Sequence, residues 1–197
     1  MTVGDHMAAV LGRHPRRTAA ALAVLFAAGC SGSDGPGAPT TPPTPGPAGT
    51  VVVQVRNEGW GHVLEGSAIT YASNPPASGP HYPVWARYEA HATPLARGYW
   101  VHNLEHGAIV MLYRPDTPAA VVSALSDAYR SLPVDPQCGH ARALLTPDPL
   151  LPRPMIAVIA ADWLLTADGV DGPAIRDFTL AHRGRAPENV CQGGTRP

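Results

Sequence analysis

Between Asn74 and Arg97 the chain is punctuated so densely that no long helix or strand can run through it. Pro75, Pro76, Gly79, Pro80, Pro83 and Pro94 alternate with the rings of Tyr82, Trp85 and Tyr88. Each proline fixes φ and removes a backbone donor, so neither a helical nor a sheet ladder survives this spacing. The segment is expected to be an ordered loop packed down by its own aromatics. A loop of this length inside a compact domain is usually functional or disordered.

Regular structure must therefore lie on either side. Val51–Val55 is β-branched and follows Gly49, the pattern of a strand near a sheet edge. Ala108–Tyr113 is a short apolar run closed by Pro115, and Ala143–Thr146 and Met155–Ala160 are two more. Thr117-Pro118 is expected to open a helix through Ser131, with Thr117 as N-cap and Val121, Val122, Leu125 and Tyr129 on one face. Asp171 or Gly172 opens a last helix, with Ile175, Phe178 and Leu180 facing the core until Gly184 stops it. The expected class is α+β: a two-layer α/β sandwich with a small sheet, two main helices and a long proline-rich loop.

Upstream, Arg13, Arg16 and Arg17 precede the apolar run Thr18–Gly29, the charged-then-apolar order of a signal peptide, and the run is too short to span a membrane. Ala27-Ala28-Gly29-Cys30 resembles a bacterial lipobox, with alanine where leucine is usual, which implies cleavage after residue 29 and lipidation of Cys30. A plain cleaved signal is the alternative. Residues 30–49 are nearly all Ser, Gly, Pro, Thr and Ala and read as an extended tether. The expected organisation is thus signal peptide 1–29, tether 30–49, one domain over 50–193 and a short tail, 194–197. The domain would stand outside the cytoplasm, in the cell envelope, with the membrane as its partner through the anchor. A protein or glycan partner is left open.

Removing the signal leaves 11 basic and 14 acidic residues, and every basic residue is arginine. With no basic stripe, nucleic-acid binding has no electrostatic footprint. If Cys30 is lipidated, Cys138 and Cys191 remain as an even pair in an oxidising compartment, where a disulfide is the default. The competing role for Cys138 is as a metal thiolate beside His140.

Seven histidines fall after the signal. His81 sits in the proline-rich loop, and His102 and His106 in Val101-His-Asn-Leu-Glu-His-Gly107. If that segment is helical, His102, Glu105 and His106 stand at about 0°, −60° and +40° around the axis and face one way. If it is extended, the two histidines lie about 13 Å apart and Glu105 points to the other face. The conformation of six residues decides whether a site exists. His62, His91, His140 and His182 lack a ligand-spaced partner and read as surface or hydrogen-bonded residues. Asp162, Asp168 and Asp171 form at most a weak oxygen-ligand loop and read as turn and cap residues. His-x-x-Glu-His also matches the inverted zinc-hydrolase signature, although Gly107 and a strand follow at once.

The pairing of Pro75-Pro76-x-Ser78-Gly79-Pro80-His81 with Val101-His102-x-Leu104-Glu105-His106-Gly107, then Ile109-Val110-x-Leu112-Tyr113 and a late Pro187-Glu188, resembles the bacterial domain of unknown function 3105. The resemblance covers about Gly59 to Glu188, with Arg87 where members often have glycine before the tyrosine. It implies an exported or membrane-tethered protein and carries no settled activity. The leading expectation is a metal site of His81, His102 and His106, with Glu105 beside them, for a copper or zinc ion. Imidazole suits either metal, and Met111 and Met155 would favour reduced copper only if they reached the cluster. One alternative is a buried hydrogen-bond network in a non-catalytic module. Another is an interaction surface made by Trp60, Tyr82, Trp85, Tyr88, Tyr99 and Trp100. A metal-dependent hydrolase is the lesser reading, and no catalytic residue is assigned.

Overall fold

The computed structural model describes residues 44–45, 49–153 and 156–197. The expected signal segment 1–29, Cys30, most of the expected tether and Met155 lie outside the described residues. The elements run β1 (Thr44–Pro45), β2 (Val51–Gln54), α1 (Arg97–Glu105), β3 (Ile109–Tyr113), α2 (Ala119–Arg130), β4 (Ala143–Pro147), β5 (Ile156–Ala160), β6 (Trp163–Ala167) and α3 (Gly172–His182). They form an α+β fold on one mixed sheet in the order β1-β2-β6-β5-β3-β4.

Among the described strands only β3 and β4 are parallel, paired from Ile109↔Ala143 to Tyr113↔Pro147. A parallel pair needs a crossover, and α2 supplies it. β5 and β6 form an antiparallel hairpin closed by Ala161 and Asp162, with Asp162 at φ 63°. Aspartate tolerates that left-handed conformation better than most residues, and here its carboxylate accepts from Asn57 Nδ2 at 2.8 Å. Asp162 is therefore a turn residue, and Asp171 is a cap, accepting from Ala174 N–H at 3.0 Å.

β4 and β5 are buried along their whole length, and β3 at all but Tyr113, because both faces of this part of the sheet are covered. On one face Ile109, Met111, Ala143, Ile156, Val158 and Leu165 pack under Leu125 and Ala128 of α2 and Ile175 and Phe178 of α3. On the other, Val110, Leu112, Leu144, Ala157 and Ile159 pack against Trp100, Val101 and Leu104 of α1 and against Ala77, Ala86 and Leu95 of the proline-rich loop. The loop also covers the β4 edge, where His91 N–H donates to the Leu145 carbonyl at 2.8 Å and Leu145 N–H to the Glu89 carbonyl at 3.1 Å.

Three local expectations change. Pro118, at ψ 139°, lies outside α2 and is itself the N-cap, so Thr117 makes no side-chain cap. Leu180 is 52 % exposed, because the buried stripe of α3 runs through Ile175, Phe178 and Thr179. Residue 180 lies about 140° around the axis from residue 175, at 100° per residue. The third change is β6, an additional strand that lines up against β2 as well as β5. Among the described residues no helix is long and apolar enough to cross a membrane.

Candidate metal centre

Val101–Glu105 is helical, the last part of α1, which runs from Arg97 to Glu105. Its end is set by Gly107 at φ 83°. Gly107 N–H bonds the Leu104 carbonyl and Ala108 N–H bonds the Asn103 carbonyl, the paired bonds of a Schellman stop. A Cβ on Gly107 would meet the Gly184 Cα at 2.8 Å, so the position also lets the C-terminal segment approach. Helical geometry then puts His102, Glu105 and His106 on one side.

The loop brings the rest. Asn103 grips the backbone of Ala86 from both sides, accepting from its N–H at 3.0 Å and donating to its carbonyl at 2.9 Å. Trp85 is thereby laid against His106 and His102, at ring-centroid distances of 4.5 and 4.9 Å. Farther up, residues 61–63 run beside His81. His81 N–H donates to the Gly61 carbonyl and Val63 N–H to the His81 carbonyl. This parallel bridge sets the His62 and His81 rings edge to face, 5.0 Å apart.

The result is one cluster. His62, His81, His102 and Glu105 each offer a donor atom within 4.8 Å of the others, and Glu105, His106 and Glu188 form a second such set. His81, His102 and Glu105 thus meet as the sequence predicts, while His106 joins the second set, touching His102 through an Nε2–Nε2 contact of 3.1 Å. His62 and Glu188 were not legible as members. Each comes from a distant stretch of chain and has no spacing relative to the helix motif.

Backbone carbonyls dictate the tautomers. A carbonyl can only accept, so His81 Nδ1, 2.9 Å from the Gly79 carbonyl, and His102 Nδ1, 2.6 Å from the Tyr82 carbonyl, must both carry hydrogen. In the neutral rings both Nε2 atoms then present lone pairs. His81 Nε2 points to Glu105 Oε2 at 3.0 Å without hydrogen-bond alignment and has no other partner. His102 Nε2 is 3.9 Å from the same oxygen. Burial, reinforced by the neighbouring histidines, pushes His102 down to about 4 despite its bond to Tyr82, so that ring is neutral at pH 7. Burial also lowers His106 and raises Glu105. Imidazoles held by Nδ1–H···O=C bonds are how metal-binding histidines are oriented.

The remaining candidates fall elsewhere. Met111 is in the core on the α2/α3 face, away from the cluster. His91 bonds the Arg87 carbonyl, His140 lies against Tyr88, and His182 stacks on Trp163 at 4.4 Å. Of the six aromatics considered as an open surface, Tyr82 and Trp100 are buried, and Trp60, Trp85, Tyr88 and Tyr99 are half-buried. Cys138 and Cys191 form a disulfide, so Cys138 offers no thiolate to a metal. This bond is consistent with an oxidising, extracytoplasmic compartment.

Fold and cluster together define a small α+β domain with a histidine–carboxylate centre between a helix end and a proline-rich loop. The family model described as "Protein of unknown function (DUF3105)" matches residues 62–193, and the chain belongs to that family. No curated protein and no solved structure matches it.

Proposed function

We propose that this is an envelope lipoprotein, held to the membrane through Cys30, whose domain binds a transition-metal ion, copper or zinc, at His62, His81, His102 and Glu105. The observation that carries the reading is the pair of Nδ1–H bonds to the Gly79 and Tyr82 carbonyls, which turn two lone pairs toward one carboxylate oxygen. Donors at about 2.0–2.2 Å from one tetrahedral ion sit about 3.3–3.6 Å apart. The 4.8 Å envelope of the four donors therefore needs its widest pairs to close by about 1.2–1.5 Å, within reach of side-chain rotation. His62 is exposed and gives the ion a way in.

The test is elemental analysis and titration of the detergent-purified full chain with Zn²⁺ and Cu²⁺, beside His81→Ala and His102→Ala. Tight binding in the parent that both variants lose supports the reading. A parent that binds neither ion, or variants that bind like the parent, removes it. Anchoring is checked by incorporation of labelled fatty acid, which Cys30→Ala should abolish.

A second reading, a non-catalytic module braced by a buried histidine network, is favoured by the His102–His106 contact at 3.1 Å. Under it the alanine variants lower thermal stability while the parent shows no metal.

A further inference from the structure

The first set does not account for every donor in the cluster. With three imidazoles and one carboxylate it already fills a tetrahedral zinc shell, leaving His106 and Glu188 unused. These two form the second set together with Glu105, the residue common to both.

His106 is 3 % exposed. Its Nε2 lies 3.1 Å from Glu188 Oε2, and its buried Nδ1 has no partner. Without metal its Nε2–H faces two acceptors, Glu188 Oε2 and the His102 Nε2 lone pair, each at 3.1 Å. No carbonyl imposes that tautomer, unlike those of His81 and His102, so moving the hydrogen to the unpartnered Nδ1 turns the Nε2 lone pair to an ion.

Glu188 is not a stray surface acid. Its N–H bonds the Glu105 carbonyl at 3.0 Å, and Val190 N–H bonds the His106 carbonyl at 3.3 Å, so the segment lies along the end of α1. Asn189 accepts from Arg142 and donates to Gln137, and the Cys138–Cys191 disulfide ties the same stretch down three residues after Glu188.

We infer that Glu105 bridges two metal ions, the second held by His106 and Glu188. This rests on the reading of the first set as a metal centre. A carboxylate has two oxygens and can serve one ion with each. With two carboxylates to one imidazole, the second set is the harder of the two and suits Zn²⁺ or Mn²⁺ better than reduced copper.

Zinc titration of the full chain, followed by native mass spectrometry and chelator competition, tests the inference. The parent should take two equivalents. Glu188→Gln should retain one tightly and lose the other, or hold it at least tenfold more weakly. Because the Glu188 side chain is 55 % exposed, that variant should keep the parent's thermal stability in the presence of chelator. A parent that saturates at one equivalent, or a Glu188→Gln variant that binds two as tightly as the parent, overturns the second ion and leaves the first standing. A parent that binds none overturns both.

Discussion

The two faces of the sheet are built by different rules. On the α2/α3 face, two amphipathic helices lay apolar stripes on apolar strand positions, and the buried side chains are almost all hydrocarbon. On the α1 face, the helix is buried on nearly every side, and Trp100, Val101 and Leu104 share it with His102, Asn103 and Glu105. The first face stabilises by removing area from water. The second buries polar groups, which is unfavourable unless each finds a partner, and it is where donor atoms converge. Polar burial concentrated on one side of an otherwise apolar core marks the side that carries the candidate site.

The comparison can be broken by separating stability from binding. Phe178→Ala, in the apolar face, should cost about 3–5 kcal/mol, read by urea unfolding, with metal stoichiometry unchanged in the folded protein. Loss of metal from folded Phe178→Ala would show that the faces are not independent. Replacing both Cys138 and Cys191 by serine frees a loop of 53-residue separation, which should cost about 4 kcal/mol in the chain-entropy model. On the reading above, it should also weaken the zinc ion that uses Glu188 more than the one held by His81 and His102.

Arg142 tests what the polar side needs. It is 2 % exposed, donates to Asp135 at 2.7 Å and also reaches the His106 carbonyl. Arg142→Met leaves the Asp135 carboxylate with Arg183, at 3.4 Å, and the Gln137 N–H, at 2.9 Å. The expected loss is about 3 kcal/mol, the low end for breaking a buried pair. Gly107→Ala should cost about 1–2 kcal/mol for the left-handed backbone alone, with more from the contact at Gly184, and should lower metal affinity by shifting the end of α1.

The smallest effect is on pH dependence, and it belongs to the apolar face. Burial, then the charge of Arg185, lowers the pKa of His182, which stacks on Trp163. The unfolded chain therefore binds this proton more readily than the folded one. Stability from this residue is undiminished above the ordinary histidine range, near 6.5, and is lost as pH falls below it toward the lower folded value. His182→Phe should flatten that part of the unfolding free-energy profile. An unchanged slope would assign the acid limb elsewhere.

Legibility follows the same division. The strands Ile109–Tyr113 and Ala143–Pro147 could be read because burial on both faces leaves short continuous apolar runs, and the helices α2 and α3 because one-sided burial imprints a period on the sequence. α1 carries no such imprint: a helix buried all round has no apolar stripe, and only Gly107 hinted at its end. β6 was hidden because its preceding turn is Ala161-Asp162, without the glycine that usually announces a hairpin.

The sequence by itself determined the α+β class, the family, Cys138–Cys191 as the default pair once Cys30 is set aside, and the presence of His81, His102, Glu105 and His106 in segments that apolar packing does not explain. Local patterns are sufficient for these, since periodicity, parity and spacing are properties of the chain. Tertiary structure alone decided that Val101–Glu105 is helical, that His62 stands beside His81, and that Glu188 returns to His106. Those facts depend on backbone hydrogen bonds between segments far apart in the chain, and no spacing along the chain records them.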